Sequence, residues 1–234
     1  MKNNILFLES NLNLGKSAIK FHGNNSVVFL NSDKFTYKLK VLINSDSVMY
    51  VGKNNYFNKT LSAVLYEQKN IFIGEGGMFS FNVVIRNTDH HPIYAIKDGR
   101  RINFGKSVFI GDHVWLGQNV IVLKGSQIGS GSIVGAGAVV SGKRLRSNES
   151  YVGVPARCIA SEIFWVNKFI YDWKPGDEEK LTVISPEKYT YIKDATTVSF
   201  DDIDCKLSGC KTSDDKLKYL IELSNNTAKN RFAI

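Results

Sequence analysis

From Phe104 to Val140 the chain reads FGKSVFIGDHVWLGQNVIVLKGSQIGSGSIVGAGAVV. Every sixth residue is Phe104, Ile110, Leu116, Val122, Ile128, Val134 and Val140, all large and apolar. The residues that follow them are Gly105, Gly111, Gly117, Leu123, Gly129, Gly135 and Ser141, and four places on stand Val108, Val114, Val120, Ser126, Ser132 and Ala138. An amphipathic helix needs a period of 3.6 and a half-buried strand a period of 2, so a strict six fits neither. It fits a triangular solenoid in which each six-residue unit forms one short flat face and three units complete a coil. Residues 18 apart then stack, Phe104 below Val122 and Val140, Ile110 below Ile128, with coils about 4.8 Å apart through parallel backbone hydrogen bonds. Glycine at the second place is expected to ease the corners, since it adopts dihedrals closed to other residues. The same phase runs back through Ile73-Gly74, Phe79-Ser80 and Ile85-Arg86, and more faintly through Val51-Gly52 and Phe57-Asn58.

A solenoid has open ends that need capping against edge pairing. Residues 1–40, whose six-residue phase is not clean around Ser26–Leu30, are expected to form an N-terminal cap and irregular first coil. The solenoid then occupies 41–160, and 161–234 is a helical extension rather than an independent domain. Ile163, Phe164, Phe169 and Ile170 suit a short helix over Ser161–Trp173 packed across the end, and Leu217, Leu220 and Ile221 one over Asp214–Leu223. Lys174 to Asp202 reads as loop and short strand.

Composition narrows the partners. A hydrophobic share of 43% with 22% charged residues excludes wholesale disorder. The formal charge of +8 favours an anionic partner without choosing among nucleic acid, membrane, cofactor and polysaccharide. The basic residues are scattered and no aromatic-basic platform accompanies them, which argues against nucleic acid. Glu9 ends the apolar run Ile5–Leu8 well short of a secretory core, and no uninterrupted apolar stretch reaches the length of a membrane span, so a cytoplasmic location is expected. Cys158, Cys205 and Cys210 are too few and too sparse for a disulfide scaffold, and no second cysteine pair completes a zinc site at Cys205 and Cys210, so no metal is expected.

Ile85 to Phe104 is 19 residues, which six does not divide, so an excursion must leave the coil there. The loop, 87–103, carries Asp89-His90-His91-Pro92-Ile93-Tyr94 and then Lys97, Asp98, Gly99, Arg100 and Arg101. Two of the four histidines therefore sit on a loop carried by a rigid scaffold, a usual place for functional groups. On the residues alone, a catalytic pair and an incidental polar surface loop both remain open.

Four motifs in order extend the reading: Asp89-His90-His91-Pro92-Ile93-Tyr94, Ile110-Gly111-Asp112-His113-Val114-Trp115-Leu116-Gly117, Val134-Gly135-Ala136-Gly137-Ala138-Val139-Val140 and Gly153-Val154-Pro155-Ala156-Arg157. Together they resemble the hexapeptide-repeat, left-handed β-helix acetyl-CoA-dependent O-acetyltransferases, in particular the sugar and capsular-polysaccharide branch, sialic-acid polymer enzymes included. The likeness covers roughly residues 70 to 160. It implies a left-handed parallel β-helix, whose hand departs from the usual right-handed crossover, acetyl-CoA as cosubstrate, and a homotrimer with active sites between subunits. It implies His91 as general base and Trp115 beside CoA, with Gly117, Gln118, Gly135, Ala136, Ser141, Lys143 and Arg157 along the CoA groove. Lys143 stands one place later than the lysine of relatives, and Ala160 stands where a second basic residue is often found. Asp89, His90, Tyr94 and Arg101 are candidates for the acceptor side.

Imidazole suits the base role, because acyl transfer to a sugar hydroxyl needs a group that takes the alcohol proton near neutrality and returns it to the leaving thiolate. Inward places are taken by Ile110 and Leu116, so Trp115 is expected to point outward and to be exposed. The expected activity is O-acetylation of a bacterial-type surface polysaccharide, an anionic one among the candidates. The alternatives are acetylation of a small glycoside, a nucleotide-linked amino sugar or an antibiotic, and, more remotely, a non-catalytic trimeric scaffold.

Overall fold

The computed structural model describes residues 1–234 apart from Asn11, Asp172, Glu178, Lys180 and Leu181. Three parallel sheets wind around one core as a left-handed β-helix. The first, seven-stranded, stacks Ile5–Leu8, Val27–Leu30, Val48–Val51, Ile71–Ile73, Val108–Ile110, Gln127–Ile128 and Arg144–Leu145. The second stacks Ala18–Phe21, Leu39–Ile43, Leu61–Leu65, Val84–Arg86, Ile121–Val122 and Val139–Val140. The third stacks Tyr56–Phe57, Met78–Phe79, Trp115–Leu116, Ile133–Val134 and Ser150–Val152, and is closed by Arg157–Ala160, which runs antiparallel to its neighbour. That reversal ends the solenoid by occupying the edge that would otherwise template another chain.

The registers show what the six-residue period captured and what it missed. Ile110 pairs with Ile128, Leu116 with Val134 and Val122 with Val140, eighteen apart. Phe104, however, is 59% exposed and lies outside the coil. The place below Val122 belongs to Ile85, whose partner is 37 residues on because the whole excursion intervenes. Before the excursion the coils are longer: Ala63 pairs with Ile85 and Met49 with Ile71, 22 residues apart. Steps from the first face to the third and on to the second are still six residues, as in Val51, Phe57 and Ala63, all buried. The step from the second face back to the first takes the surplus, and the excursion leaves from that same corner. Residues 1–40 are likewise not an irregular cap, since Ile5–Leu8, Ala18–Phe21 and Val27–Leu30 already lie in register within the sheets.

Glycine at the second place proves to answer crowding rather than dihedral freedom. A Cβ on Gly111 would lie 2.8 Å from the Ser130 nitrogen, and one on Gly74 would lie 2.6 Å from the Gly111 carbonyl carbon. The left-handed corner is two residues later, where His113 has φ of 54°, a conformation costly for most side chains.

Along its middle strands, from Val27–Leu30 to Val108–Ile110, the first face is buried on both sides. Its outward residues Phe7, Phe29, Tyr50, Phe72 and Phe109 form a ladder, with ring centroids 4.4, 5.3, 4.5 and 6.2 Å apart from rung to rung. Such pairs contribute roughly 0.5–1.5 kcal/mol each beyond area burial. Helices α1 (Phe200–Gly209) and α2 (Ser213–Ser224) cover the ladder, with Phe200, Ile203, Leu207, Leu220 and Leu223 packed into one cluster with it and with Phe232. Each helix begins at a capping hydroxyl: Ser199 accepts from Asp201 N, and Thr212 forms a capping box with Asp215. The second helix matches the expected Asp214–Leu223 and packs on the flank of the prism through Leu217 and Leu220, while Ile221 of the expected stripe is exposed. The helix expected over Ser161–Trp173 does not form. The described residues of that stretch, all but Asp172, are extended and irregular and lie along the third face with Trp165 buried. Among the described residues no helix is long and apolar enough to cross a membrane.

Candidate active site

The excursion begins at Asn87, a fully buried side chain whose Oδ1 accepts from Tyr66 N and whose Nδ2 donates to the Lys69 carbonyl. It then folds back on itself. Ala95 N donates to the Arg100 carbonyl at 2.8 Å and Ile102 N to the Ile93 carbonyl at 2.9 Å, with Tyr94 and Arg101 bridged antiparallel. The arm so formed projects Ile93, Tyr94, Ile96, Ile102 and Phe104 into solvent, each more than half exposed.

At the root of this arm stands Asn103, 8% exposed. Its Nδ2 donates to the His91 carbonyl at 2.8 Å and to Asp89 Oδ2 at 2.9 Å, and its Oδ1 accepts from Ile93 N at 2.7 Å and from Arg101 Nε at 3.3 Å. One buried amide thereby fixes the backbone just after His91 and ties it to the Asp89 carboxylate before it, while leaving the imidazole exposed. Asp89 is pinned further by Lys124, whose Nζ lies 2.5 Å from its carboxylate and also donates to the Asn103 carbonyl. Hydrogen bonds from Lys124 and Asn103 hold the Asp89 carboxyl below its ordinary range.

A second anchor is Glu67. Burial alone would raise its carboxyl, yet hydrogen bonds from Arg101, Thr88 and Gly105 N outweigh that and hold it near about 2. Arg101 Nη2 lies 2.7 Å from Glu67, and its guanidinium stacks over Phe104 at 4.9 Å. Asn103, Lys124 and Glu67 were not among the sequence candidates. Lys124 and Glu67 belong to the coils on either side of the excursion, so only the register brings them together.

The other candidates fall into separate places. His90 is exposed, with its ring edge-on to Tyr66 at 5.9 Å. Trp115 lies outward on the third face between Met78 and Ile133, as the phase required. It is not exposed as expected, because the extension crosses it: Trp165 stands 5.9 Å away, and the Trp115 indole Nε1 is sealed from solvent with no hydrogen-bond partner among the described residues. Gly117, Gln118, Gly135 and Ala136 share the corner between the third and second faces, where Gly137 N bonds to the Gln118 carbonyl and the space beside Gly137 is open. Ser141 and Lys143 belong to the opposite corner of the second face, and Lys143 Nζ is committed to the Ala156 carbonyl at 2.9 Å. Arg157 is exposed on the terminal strand.

Asp112 and His113, part of the second motif, serve to dock the extension. Arg231 makes a two-pronged contact with Asp112 at 2.8 and 3.0 Å, a pair all but sealed from solvent, and also reaches the partly exposed Glu75 at 3.0 Å. His113 stacks on Trp165 at 4.0 Å, its Nε2 lies 2.9 Å from the Trp165 carbonyl, and Trp165 Nε1 donates back to the His113 carbonyl. Burial lowers the His113 pKa. Among the described residues no group of three or more His, Cys, Asp or Glu side chains is placed to hold a metal ion, and Cys158, Cys205 and Cys210 are free thiols.

Comparison with known proteins agrees with this architecture. Residues 107–142 match the family model described as bacterial transferase hexapeptide (six repeats). A polysialic acid O-acetyltransferase of Neisseria meningitidis is 35% identical over 105 residues, 44% of this chain and 48% of that protein, so that match spans about half the relative's length. The crystal structure of the polysialic acid O-acetyltransferase OatWY superposes with a TM-score of 0.62 at 33% identity, covering 76% of this chain and 84% of that one. That of the polysialic-acid-specific acetyltransferase NeuO gives 0.60 at 26% identity, covering 77% and 95%.

Proposed function

The chain belongs to the hexapeptide-repeat O-acetyltransferases, and from that premise we propose that it moves an acetyl group from acetyl-CoA to a hydroxyl of an acidic surface polysaccharide, acting in the cytoplasm. The observation that carries the proposal is the exposed His91 imidazole on a backbone locked by Asn103. Such a side chain is free to meet an acceptor and is held in place while it does so.

In the proposed reaction His91 takes the proton of the acceptor hydroxyl as its oxygen attacks the thioester carbonyl. The tetrahedral oxyanion is met by a backbone N–H near a coil corner. The intermediate collapses with cleavage of the C–S bond, and the imidazolium returns the proton to the departing CoA thiolate. The acceptor gains an acetyl ester, CoA leaves as the thiol, and no covalent enzyme intermediate is needed. Asp89 is engaged by Lys124 and Asn103, so its role is to position the loop. Arg101, tied to Glu67, acts likewise.

A homotrimer with sites between subunits is supported by the placement of the candidates. The His91 arm leaves one edge of the second face, while Trp115, Gln118 and Ala136 lie toward the opposite edge. One prism therefore does not offer them to the same substrate. The second face presents the outward residues Val84, Ile121 and Val139, and it is the face that neither the helices, which cover the first, nor the extension, which crosses the third, packs against among the described residues. A neighbour packed there would cover this apolar column and the exposed arm, and would set its own open corner, with Gln118 and Ala136, against His91.

The proposal is tested by incubating the purified chain with acetyl-CoA and a panel of acidic polysaccharides, neutral polysaccharides and simple glycosides. Thiol release is followed, and the ester is located by NMR. Release confined to acidic polymers supports the reading; turnover only with small glycosides contradicts it.

A further inference from the structure

Two cavities adjoin beneath the extension. One, of about 500 Å³, is walled by Trp115, Tyr56, Phe169, Tyr171 and Trp173. The other, of about 490 Å³, is walled by Lys34, Lys168 and Lys188 with Phe35, Tyr189 and Tyr191. They share Val166, Asn167, Lys168 and Ile184, so the same stretch of the extension borders both, an aromatic half and a basic half of one surface.

No carboxylate lines either half among the described residues. Lys34, Lys168 and Lys188 are exposed and take part in no ion pair among the described residues. The nearby carboxylate Asp33 is turned to other work, accepting from Phe35 N and Asn55 N at 2.8 Å each, and so fixes the turn that presents Lys34. At the aromatic end the buried Trp115 Nε1 is a donor without an acceptor, and a buried donor left unpaired costs about 1–3 kcal/mol unless a ligand or water satisfies it.

Aromatic faces bind the apolar C–H faces of sugar rings, and lysines pair with carboxylates carried along a chain. We propose that these two halves together form a binding channel for the acidic polysaccharide acceptor, built by residues 166–171, Trp173, Ile184, Lys188, Tyr189 and Tyr191 against the third face, with Trp115 at its reactive end, where acceptor and CoA would meet. The proposal rests on the acceptor class inferred above. It assigns the extension a role in substrate recognition: the lysines hold successive carboxylates of the polymer while the aromatic end seats the residue to be acetylated. Length dependence follows, because a short acceptor reaches the aromatic end without engaging the lysines.

The test uses the full chain and polysialic acid as probe. In the double variant Lys34→Gln/Lys188→Gln the KM for long polymer rises about tenfold, the rise shrinks in high salt, and kcat and the KM for acetyl-CoA stay at parental values. Trp173→Ala raises the KM for long and short oligomers alike. A double variant with parental polymer KM, made from an enzyme that does acetylate polysialic acid, overturns the channel and leaves the reaction standing. An enzyme that acetylates only neutral acceptors overturns both. Two exposed lysines are replaced, so the fold is preserved, and an unchanged melting temperature confirms it.

Discussion

Asn103→Ala removes the buried side chain that holds the proposed catalytic loop from within. Four hydrogen bonds disappear, two from Nδ2 and two to Oδ1, and the His91 carbonyl and Ile93 N–H lose a buried partner. Each contact contributes about 0.5–1.5 kcal/mol net. Four of them together put the loss at about 2–6 kcal/mol of loop order. The coils above and below keep their ladders, so the loss falls on the loop and not on the prism. At about 1.4 kcal/mol per factor of ten, kcat drops by about 30-fold or more while the KM for acetyl-CoA stays within about twofold, since no candidate CoA residue touches Asn103. Steady-state kinetics on polysaccharide, with melting and hydrogen exchange on the same preparation, separates the effects. Amides of 88–103 exchange faster, and those of the core strands are unchanged. A variant with kcat within about twofold of the parent would refute the claim that Asn103 positions His91.

Three further outcomes follow from the same contacts. Arg231→Ala strands Asp112 and Glu75 without their cation, and removal of one partner of a buried pair costs about 3–5 kcal/mol; chemical denaturation should show that loss, and a loss under about 1 kcal/mol contradicts the docking role. Glu67 is held at about 2 against an ordinary 4.5, so its stabilisation of the loop is complete above pH 4.5 and is lost as pH falls from there toward 2. Limited proteolysis at graded acid pH should open the arm in that window, and Glu67→Gln should open it to the same extent at every pH. Gly111→Ala drives a methyl to 2.8 Å from Ser130 N and lowers the melting temperature by several degrees, whereas Gly137→Ala, strained by a φ of 71° but with open space beside it, loses less.

The chain's organisation was legible where inward aliphatics recur without interruption, from Ile110 to Val140. It was less so before the loop, because each longer coil hides its surplus residues at one corner and keeps six-residue steps at the other two. Phe104 fell on the six-residue phase by coincidence, and its exposure reflects the loop's exit path. The helices were half visible. Leu217 and Leu220 announced α2, but the surface that receives it is written in Phe7, Phe29, Tyr50, Phe72 and Phe109, which only the register aligns. The same holds for the site. His91 stands out as a candidate through the broken register and the motif, whereas Glu67, Asn103 and Lys124 are ordinary polar residues until the coils bring them together. The expected exposure of Trp115 failed for a related reason: Trp165, fifty residues on, folds back over it through His113.

The central claim is that His91 is the base of an acetyl transfer to an acidic polysaccharide, and His91→Ala tests it most directly. With polysialic acid and acetyl-CoA the parent should release CoA and leave O-acetyl esters on the polymer. The variant should bind CoA as tightly by calorimetry, melt at the same temperature, and lose turnover by about a thousandfold or more, within the span that general-base groups contribute. Near-parental turnover in a folded, CoA-binding His91→Ala protein would contradict the account.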